Sequence, residues 1–191
     1  MKKIIFILLI GLFLVGCDNK GCNNEVVEFG HKGVLTYYLD ENPTEKLKEL
    51  KLKVTNKGKE TIFPLSDKSI KVDNFAFDKI GEYTANVTFN KKNYSLKYKV
   101  EIRKWDNKTN TAWYNETKDT FIISTASELA GLAELVNKGN DFSDKIVKLK
   151  HDIDLNNLPW IPIGTNGVGT YTEFNKYFSG TFDGDNHTIY N

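Results

Sequence analysis

The sequence predicts a mainly β protein in which a small antiparallel sandwich precedes one helix and a second group of strands. Residues 93–102 alternate strictly, with Leu96, Tyr98 and Val100 on one face and mostly lysine and serine on the other. This is the period of a strand that has one face in water. Helical periodicity occurs once, after Thr125, and short apolar segments follow it. The pattern therefore favours two β-rich modules over a helical bundle.

The first module is predicted to contain about six short strands. Tyr83 to Phe89 alternates like residues 93–102, and the polar segment Asn90–Asn93 supplies a hairpin turn between the two strands. Another turn is predicted at Asn56–Lys59. The remaining strands are predicted at Val34–Leu39, Leu50–Val54, Glu60–Phe63 and Ser69–Val72.

In order and pattern these segments resemble a bacterial immunoglobulin-like domain of the group 3 type, over residues 33–103. The resemblance implies a sandwich that serves as a surface spacer or binding module. Residues 104–112 break the alternation and are predicted to be an interdomain linker.

The second module is predicted to begin with a short amphipathic helix. Thr125 and Glu128 have the spacing of a capping box, in which each side chain bonds the backbone near the other residue. Leu129, Leu132 and Val136 then fall on one helical face, and the helix is expected to end near residues 137–139. Such a helix must pack on an apolar surface.

Four segments of residues 113–191 resemble the start of a GLUG-motif right-handed β-helix, as found in large bacterial surface proteins. They are Ile123–Leu129, Lys148–Leu155, Trp160–Gly164 and Phe178–Ile189, and they match in order and spacing. The resemblance implies that the helix caps an apolar end of the solenoid. It also implies that one coil is present, whereas about three stacked units are usually needed for stability. We therefore expect an incomplete, truncated β-helix that is less stable than the first module. The alternative is a partial solenoid that is supported by a partner.

The N-terminus has the order of an export signal. Lys2 and Lys3 precede an apolar run from Ile4 to Val15, which is shorter than the ~20 residues of a membrane span. Leu14 to Cys17 resembles a lipobox. The resemblance implies removal of residues 1–16 and a lipid anchor at Cys17, on the extracytoplasmic side of a bacterial membrane. The alternatives are an uncleaved anchor or an ordinary secretory signal in which Cys17 is incidental.

The composition argues against a nucleic-acid partner. The chain has 26 Lys and Arg against 25 Asp and Glu, and no basic stripe stands out from the mixed charges. Residues 17–32 are predicted to be a lipid-anchored tether, because residues 18–28 are polar and lack an apolar period. Cys22 is then most simply a free thiol within this tether, and the alternative is a disulfide to another molecule.

No catalytic, metal or cofactor site is predicted. Asp183–Asn186 has the look of part of a calcium loop, but turn chemistry explains its Asp, Gly and Asn residues better. Asp152 and Asp154 are expected on a wet strand face. The other residues considered are expected to have structural or surface positions: His31, His151, His187, Trp105, Trp113 and Trp160.

These observations predict a surface-exposed lipoprotein that acts as a binding, adhesion or spacer module for an extracellular protein or glycan, and not as an enzyme. One alternative is a fragment of a carbohydrate-active β-helix enzyme, a polysaccharide lyase or hydrolase. Another is a degenerate remnant without a present function.

Overall fold

The structure, a computed structural model, describes residues 25–31, 33–165 and 175–191. It is mainly β, with several sheets of which none is closed. The chain forms two compact units. The first comprises the described residues up to Leu35 together with Asn42–Ala76 and Thr84–Lys97, and the second comprises Thr36–Glu41, Phe77–Tyr83 and Tyr98–Asn191. No helix among the described residues has the length and apolar character that crossing a bilayer requires.

A three-stranded antiparallel sheet with the order β1-β3-β4 lies in the first unit. Its strands are β1 (Glu25–Phe29), β3 (Lys51–Asn56) and β4 (Lys59–Pro64). A two-residue turn joins β3 to β4, with positive φ at Lys57 and Gly58, as hairpin turns of this length require. The predicted turn is therefore confirmed.

Strand β1 corrects the prediction that residues 18–28 form a polar spacer. Glu25–Phe29 pairs with β3, and Val27 is buried beside Val54. The sequence signal is weak, because only five residues form the strand and two of them are glutamates, of which Glu28 is exposed.

The second sheet has four strands in the order β2-β7-β6-β5. The predicted hairpin of residues 83–102 is confirmed, and its alternating residues are buried as expected. Its turn is tighter than predicted, because positive φ is confined to Asn90 and Lys91 and pairing resumes at once. The strands are β2 (Leu35–Tyr38), β5 (Ile70–Asp73), β6 (Gly81–Phe89) and β7 (Lys92–Glu101).

Helix α1 (Pro43–Glu49) was not predicted, because none of its residues is buried and it has no apolar stripe to reveal it. Its start is marked by the Asn42 side chain, which accepts a hydrogen bond from the Thr44 N–H at 2.9 Å. Pro43 occupies the first turn, where a missing N–H costs nothing.

Parallel strands characterise the second unit. Strands β8 (Thr120–Ile123), β9 (Ile146–Leu149) and β11 (Thr181–Asp183) form a sheet in the order β11-β9-β8. Strands β10 (Ile153–Asp154) and β12 (Ile189–Tyr190) form a second parallel pair. Residues 160–164, one of the four segments that resemble the start of a β-helix, do not form a strand. Pro159 directly precedes this segment and Pro162 lies within it, so two backbone donors are missing.

Helix α2 (Ala126–Asn137) confirms the predicted capping box. The Thr125 side chain accepts from the Glu128 N–H, and the Glu128 carboxylate accepts from the Thr125 N–H. Leu129, Leu132 and Val136 are buried, as the amphipathic pattern requires.

The helix shares one core with the parallel strands, and Phe142 is completely buried within it. Residues 104–112, predicted to be a linker, also belong to this unit, because Trp105 is 5% exposed in the same core. The core comprises Trp105, Phe121, Ile123, Ala126, Leu129, Ala130, Leu132, Val136, Phe142, Val147, Leu149 and Ile153.

Gly131 offers a test of how closely α2 packs. A Cβ atom at this position would lie 2.0 Å from the backbone oxygen of Asn110. Gly131→Ala should therefore lower the free energy of unfolding by ~1–3 kcal/mol through overpacking, although alanine gains ~1 kcal/mol in helix propensity. Urea unfolding measures the change.

Gly184→Ala is the control, because its Cβ would have no neighbour closer than 3.7 Å, and we expect a change within ~0.5 kcal/mol. An unchanged or raised stability of Gly131→Ala would contradict the close packing of Asn110 against α2.

Candidate functional site

The outward residues of β8, β9 and β11 form a regular surface, which we call the parallel-sheet face. Strand alternation sends Phe121, Val147 and Leu149 into the core and the residues between them outward. The in-register pairing aligns the outward residues in two rows, so that side chains from three strands lie side by side. One row contains Thr120, Ile146 and Thr181, and the other contains Ile122, Lys148 and Asp183.

The parallel-sheet face combines exposed apolar area with a neutralised ion pair. Ile122 is 58% exposed and Ile146 is 37% exposed. The Lys148 ammonium lies 2.7 Å from the Asp183 carboxylate. This hydrogen bond raises the pKa of Lys148 and lowers the pKa of Asp183, so both are charged at neutral pH and cancel each other. The face therefore suits apolar and hydrogen-bonding contacts more than attraction of a polyanion.

A second polar group surrounds the pair β10 and β12. The Asp152 carboxylate accepts a hydrogen bond from the Thr188 N–H at 2.9 Å, and His187 Nδ1 lies 3.4 Å from the same oxygen atom. The His151 ring meets the His187 ring edge-on, with centroids 6.3 Å apart. The pairing of β10 with β12 thus brings His151 and His187 close together.

His151 is the constrained member of this group. Its Nε2 atom is buried and has no hydrogen-bond partner. Burial, Lys150 and His187 lower its pKa, whereas Asp40 and a hydrogen bond with the Leu39 backbone act in the opposite direction. His151 is therefore held as a neutral imidazole at neutral pH.

Asp154 corrects the prediction of a wet strand face. Its exposed fraction is 5%, and its Oδ1 atom accepts from the Asn156 N–H at 2.8 Å and from the Asn191 side-chain amide at 2.9 Å. Its backbone oxygen accepts from the Trp105 N–H. Asp154 therefore satisfies donors at a corner of the chain, a role that strand alternation does not reveal. Asp152 remains partly exposed.

The segment Asp183–Asn186 is a turn. Asp183 Oδ1 accepts from the Asp185 N–H at 3.0 Å, while its other oxygen is taken by Lys148. Asp185 and Asn186 both have positive φ, which these residue types tolerate. Within the described ranges no group of three or more His, Cys, Asp and Glu residues has the arrangement of a cation site.

The tryptophans contribute to the core of the second unit and not to a shared stacking platform. Trp105 is buried and meets Trp160 edge-to-face, with ring centroids 5.4 Å apart. Trp113 packs edge-on against Phe121 and donates from Nε1 to the Asn110 carbonyl. His31, predicted to be a solvated surface residue, is partly buried and stacks on Phe29, and burial lowers its pKa.

Sequence reasoning missed a cluster around Arg103. Its Nε atom donates to Asp40 at 3.0 Å and a terminal nitrogen donates to Glu41 at 3.3 Å. The guanidinium also lies 4.1 Å from the ring centroid of Tyr38. An open cavity of about 400 Å³ lies beside it. Arg103 is more than sixty residues from these partners, so no local pattern announces the cluster.

The predicted lipidation site, Cys17, and the thiol of Cys22 lie outside the described residues. Comparison with protein-family models, with curated proteins and with solved structures gives no match. The functional assignment therefore depends on the residues themselves.

Removal of the Asp154 carboxylate tests its role at the corner. Asp154→Ala leaves the Asn156 N–H without its buried acceptor, which should lower the free energy of unfolding by ~1–3 kcal/mol. Asp119→Ala, at a position whose side chain is 89% exposed, should change it by less than ~0.5 kcal/mol. Chemical denaturation of both variants makes the comparison, and equal effects would show that the Asp154 contacts are unimportant.

His151 and His31 predict a pH dependence of stability. Both have a folded-state pKa below the ordinary value of 6.5, so the unfolded chain binds more protons near that pH. Stability should be fully present above the ordinary pKa and should fall as the pH drops through it. We expect His151→Gln to reduce the slope of unfolding free energy against pH between about 5.5 and 7.

The double variant His31→Gln/His151→Gln should reduce the slope of unfolding free energy against pH further than His151→Gln alone. An unchanged slope in both variants, measured by denaturant unfolding at several pH values, would show that these histidines do not hold the neutral form.

Proposed function

We propose that this chain is a lipid-anchored protein of a bacterial cell envelope, which faces away from the cytoplasm and acts by binding rather than by catalysis. The order of two lysines, a short apolar run and Cys17 supports the anchor. In this account residues 1–16 are removed as a signal peptide, and acyl chains on Cys17 hold the protein to the membrane.

We further propose that the two predicted folds describe the two modules. For the first module, an immunoglobulin-like sandwich is supported by its two sheets, which contain antiparallel strand pairs. It is also supported by the contact between the rings of Phe63 in β4 and Phe89 in β6, whose centroids are 5.3 Å apart. For the second, the start of a β-helix is supported by parallel pairing in register. Phe121, Val147 and Phe182 align across three strands, and Ile153 aligns with Ile189.

The exposure of Ile122 on the parallel-sheet face is the observation that carries the binding function. Ile122 and Ile146 present apolar area on a flat, regular surface, flanked by threonine hydroxyls that can donate and accept hydrogen bonds. An extended ligand that offers an apolar side and regularly spaced polar groups fits this face. We propose an extracellular protein or a glycan as that ligand.

A second candidate, a carbohydrate-active enzyme, is favoured by one observation. Lys148 and Asp183 come from neighbouring parallel strands and lie on one outer surface, as do the acidic and basic groups of an enzyme groove built from successive coils. Their 2.7 Å ion pair supports the binding function instead, because each group already satisfies the other and neither is left to move a proton.

Fractionation of cells tests the anchor. The unaltered protein should partition with the membrane fraction. Protease added to cells whose outer envelope layer has been permeabilised should cleave it. Cys17→Ser should leave the membrane fraction, whereas Cys22→Ser should remain in it. Equal partitioning of all three proteins would contradict anchoring through Cys17.

Binding assays test the parallel-sheet face. Cells that carry the protein should gain affinity for immobilised matrix proteins or for glycans on an array. Ile122→Asp places an uncompensated charge on the face and should reduce that affinity at least about tenfold. Ile62→Asp is the matched control, because Ile62 is 61% exposed in the first unit. Equal losses for the two variants would contradict binding through this face.

Incubation with a polysaccharide panel tests the second candidate. Release of reducing ends or unsaturated sugars, lost in Asp183→Asn, would establish an enzyme in place of a binding module. Under our proposal no sugars are released.

A further inference from the structure

We propose that the free edge of β11 pairs with the same edge of a second copy of this chain, in an antiparallel two-fold arrangement centred on Phe182. The arrangement goes beyond the proposed function and requires no lipid. The direction of the backbone groups, the exposure of inward residues and the charges on the strand support this arrangement.

The backbone of Phe182 points away from β9. The Thr181 N–H donates to the Lys145 carbonyl at 2.9 Å, so Thr181 faces β9. Successive residues of a strand alternate their hydrogen-bonding sides, and the N–H and carbonyl of Phe182 therefore point to the other edge. Among the described strands, β11 pairs only with β9. An exposed edge of this kind is a template for strand pairing.

Two inward residues of β11 and β12 are exposed at this edge. Phe182 is 38% exposed and Ile189 is 39% exposed, although each aligns with an earlier inward residue. Those earlier residues, Val147 and Ile153, are 0% and 1% exposed. At the opposite edge of the sheet, Phe121 of β8 is only 3% exposed.

This asymmetry decides the kind of assembly. Because Phe121 at the β8 edge is already covered and Phe182 at the β11 edge is not, a contact between two β11 edges shields exposed apolar area on both copies, whereas a head-to-tail contact shields it on one. Contact between identical surfaces gives a closed two-fold dimer.

The charges of β11 favour one register. Antiparallel pairing centred on Phe182 places Phe182 opposite its equivalent and places Asp183 opposite the neutral Thr181 of the second copy. Lys148 already neutralises Asp183 within each copy. No like charges therefore meet across the pair, and the two phenylalanines shield each other from water.

Sedimentation equilibrium of the full chain in detergent tests the proposal. We expect a monomer–dimer equilibrium that Phe182→Asp weakens by at least about thirtyfold. Ile62→Asp adds the same charge at an exposed position of β4 in the first unit and should change the dissociation constant by less than about threefold. Circular dichroism verifies that each variant is folded.

Cross-linking provides an independent arm if Phe182→Asp fails to fold. A hydrogen-bonded antiparallel pair places equivalent Cα atoms about 5.5 Å apart, within disulfide range. Phe182→Cys in a Cys22→Ser background should give a reducible dimer on oxidation of intact cells. The Cys22→Ser protein alone gives the baseline, because any disulfide dimer it forms must be joined through Cys17. Ile122→Cys in that background should give no more dimer than this baseline.

A chain that stays monomeric at all concentrations would overturn the proposal. So would dimerisation that Phe182→Asp leaves unchanged, or equal cross-linking through positions 122 and 182.

Discussion

The second unit depends on one constraint, namely that the inward side chains of its parallel strands must be shielded from water by their neighbours. Strand β9 buries Val147 completely because Phe121 of β8 and Phe182 of β11 align with it on either side. Edge strand β11 has a neighbour on one side only, and its Phe182 is 38% exposed. At the other edge of the sheet, Phe121 of β8 is buried because Trp113 and Tyr114 pack against it. The same stacking that forms the core also fixes the outward rows of the parallel-sheet face. Core and candidate site thus share one cause.

The sequence predicted the elements whose signals are local. The hairpin of residues 83–102 has a two-residue period, and α2 has both a capping box and an apolar stripe, so each could be recognised without knowledge of its partners. Helix α1 and strand β1 were missed, because α1 buries nothing and β1 is short and half exposed. Their positions are decided by tertiary pairing, which a local pattern does not contain.

The candidate site was less predictable than the fold, because its residues are joined across the chain. The pair of Lys148 and Asp183 spans 35 residues, and the parallel register alone brings the two side chains together. Asp154 shows the converse case, since its alternation predicted a wet face while a chain corner required a buried acceptor. The surroundings of a side chain were therefore harder to predict from the sequence than the element in which the residue lies.

The proposed function combines an export signal and lipid anchor at the N-terminus with a binding face on the second β-rich unit. Intact-mass spectrometry of the protein purified from its membrane tests this account most directly. We expect a polypeptide that begins at Cys17 and carries the added mass of acyl chains. A polypeptide that retains residues 1–16 and has no added mass on Cys17 would contradict the anchor, and with it the proposed location of the binding face.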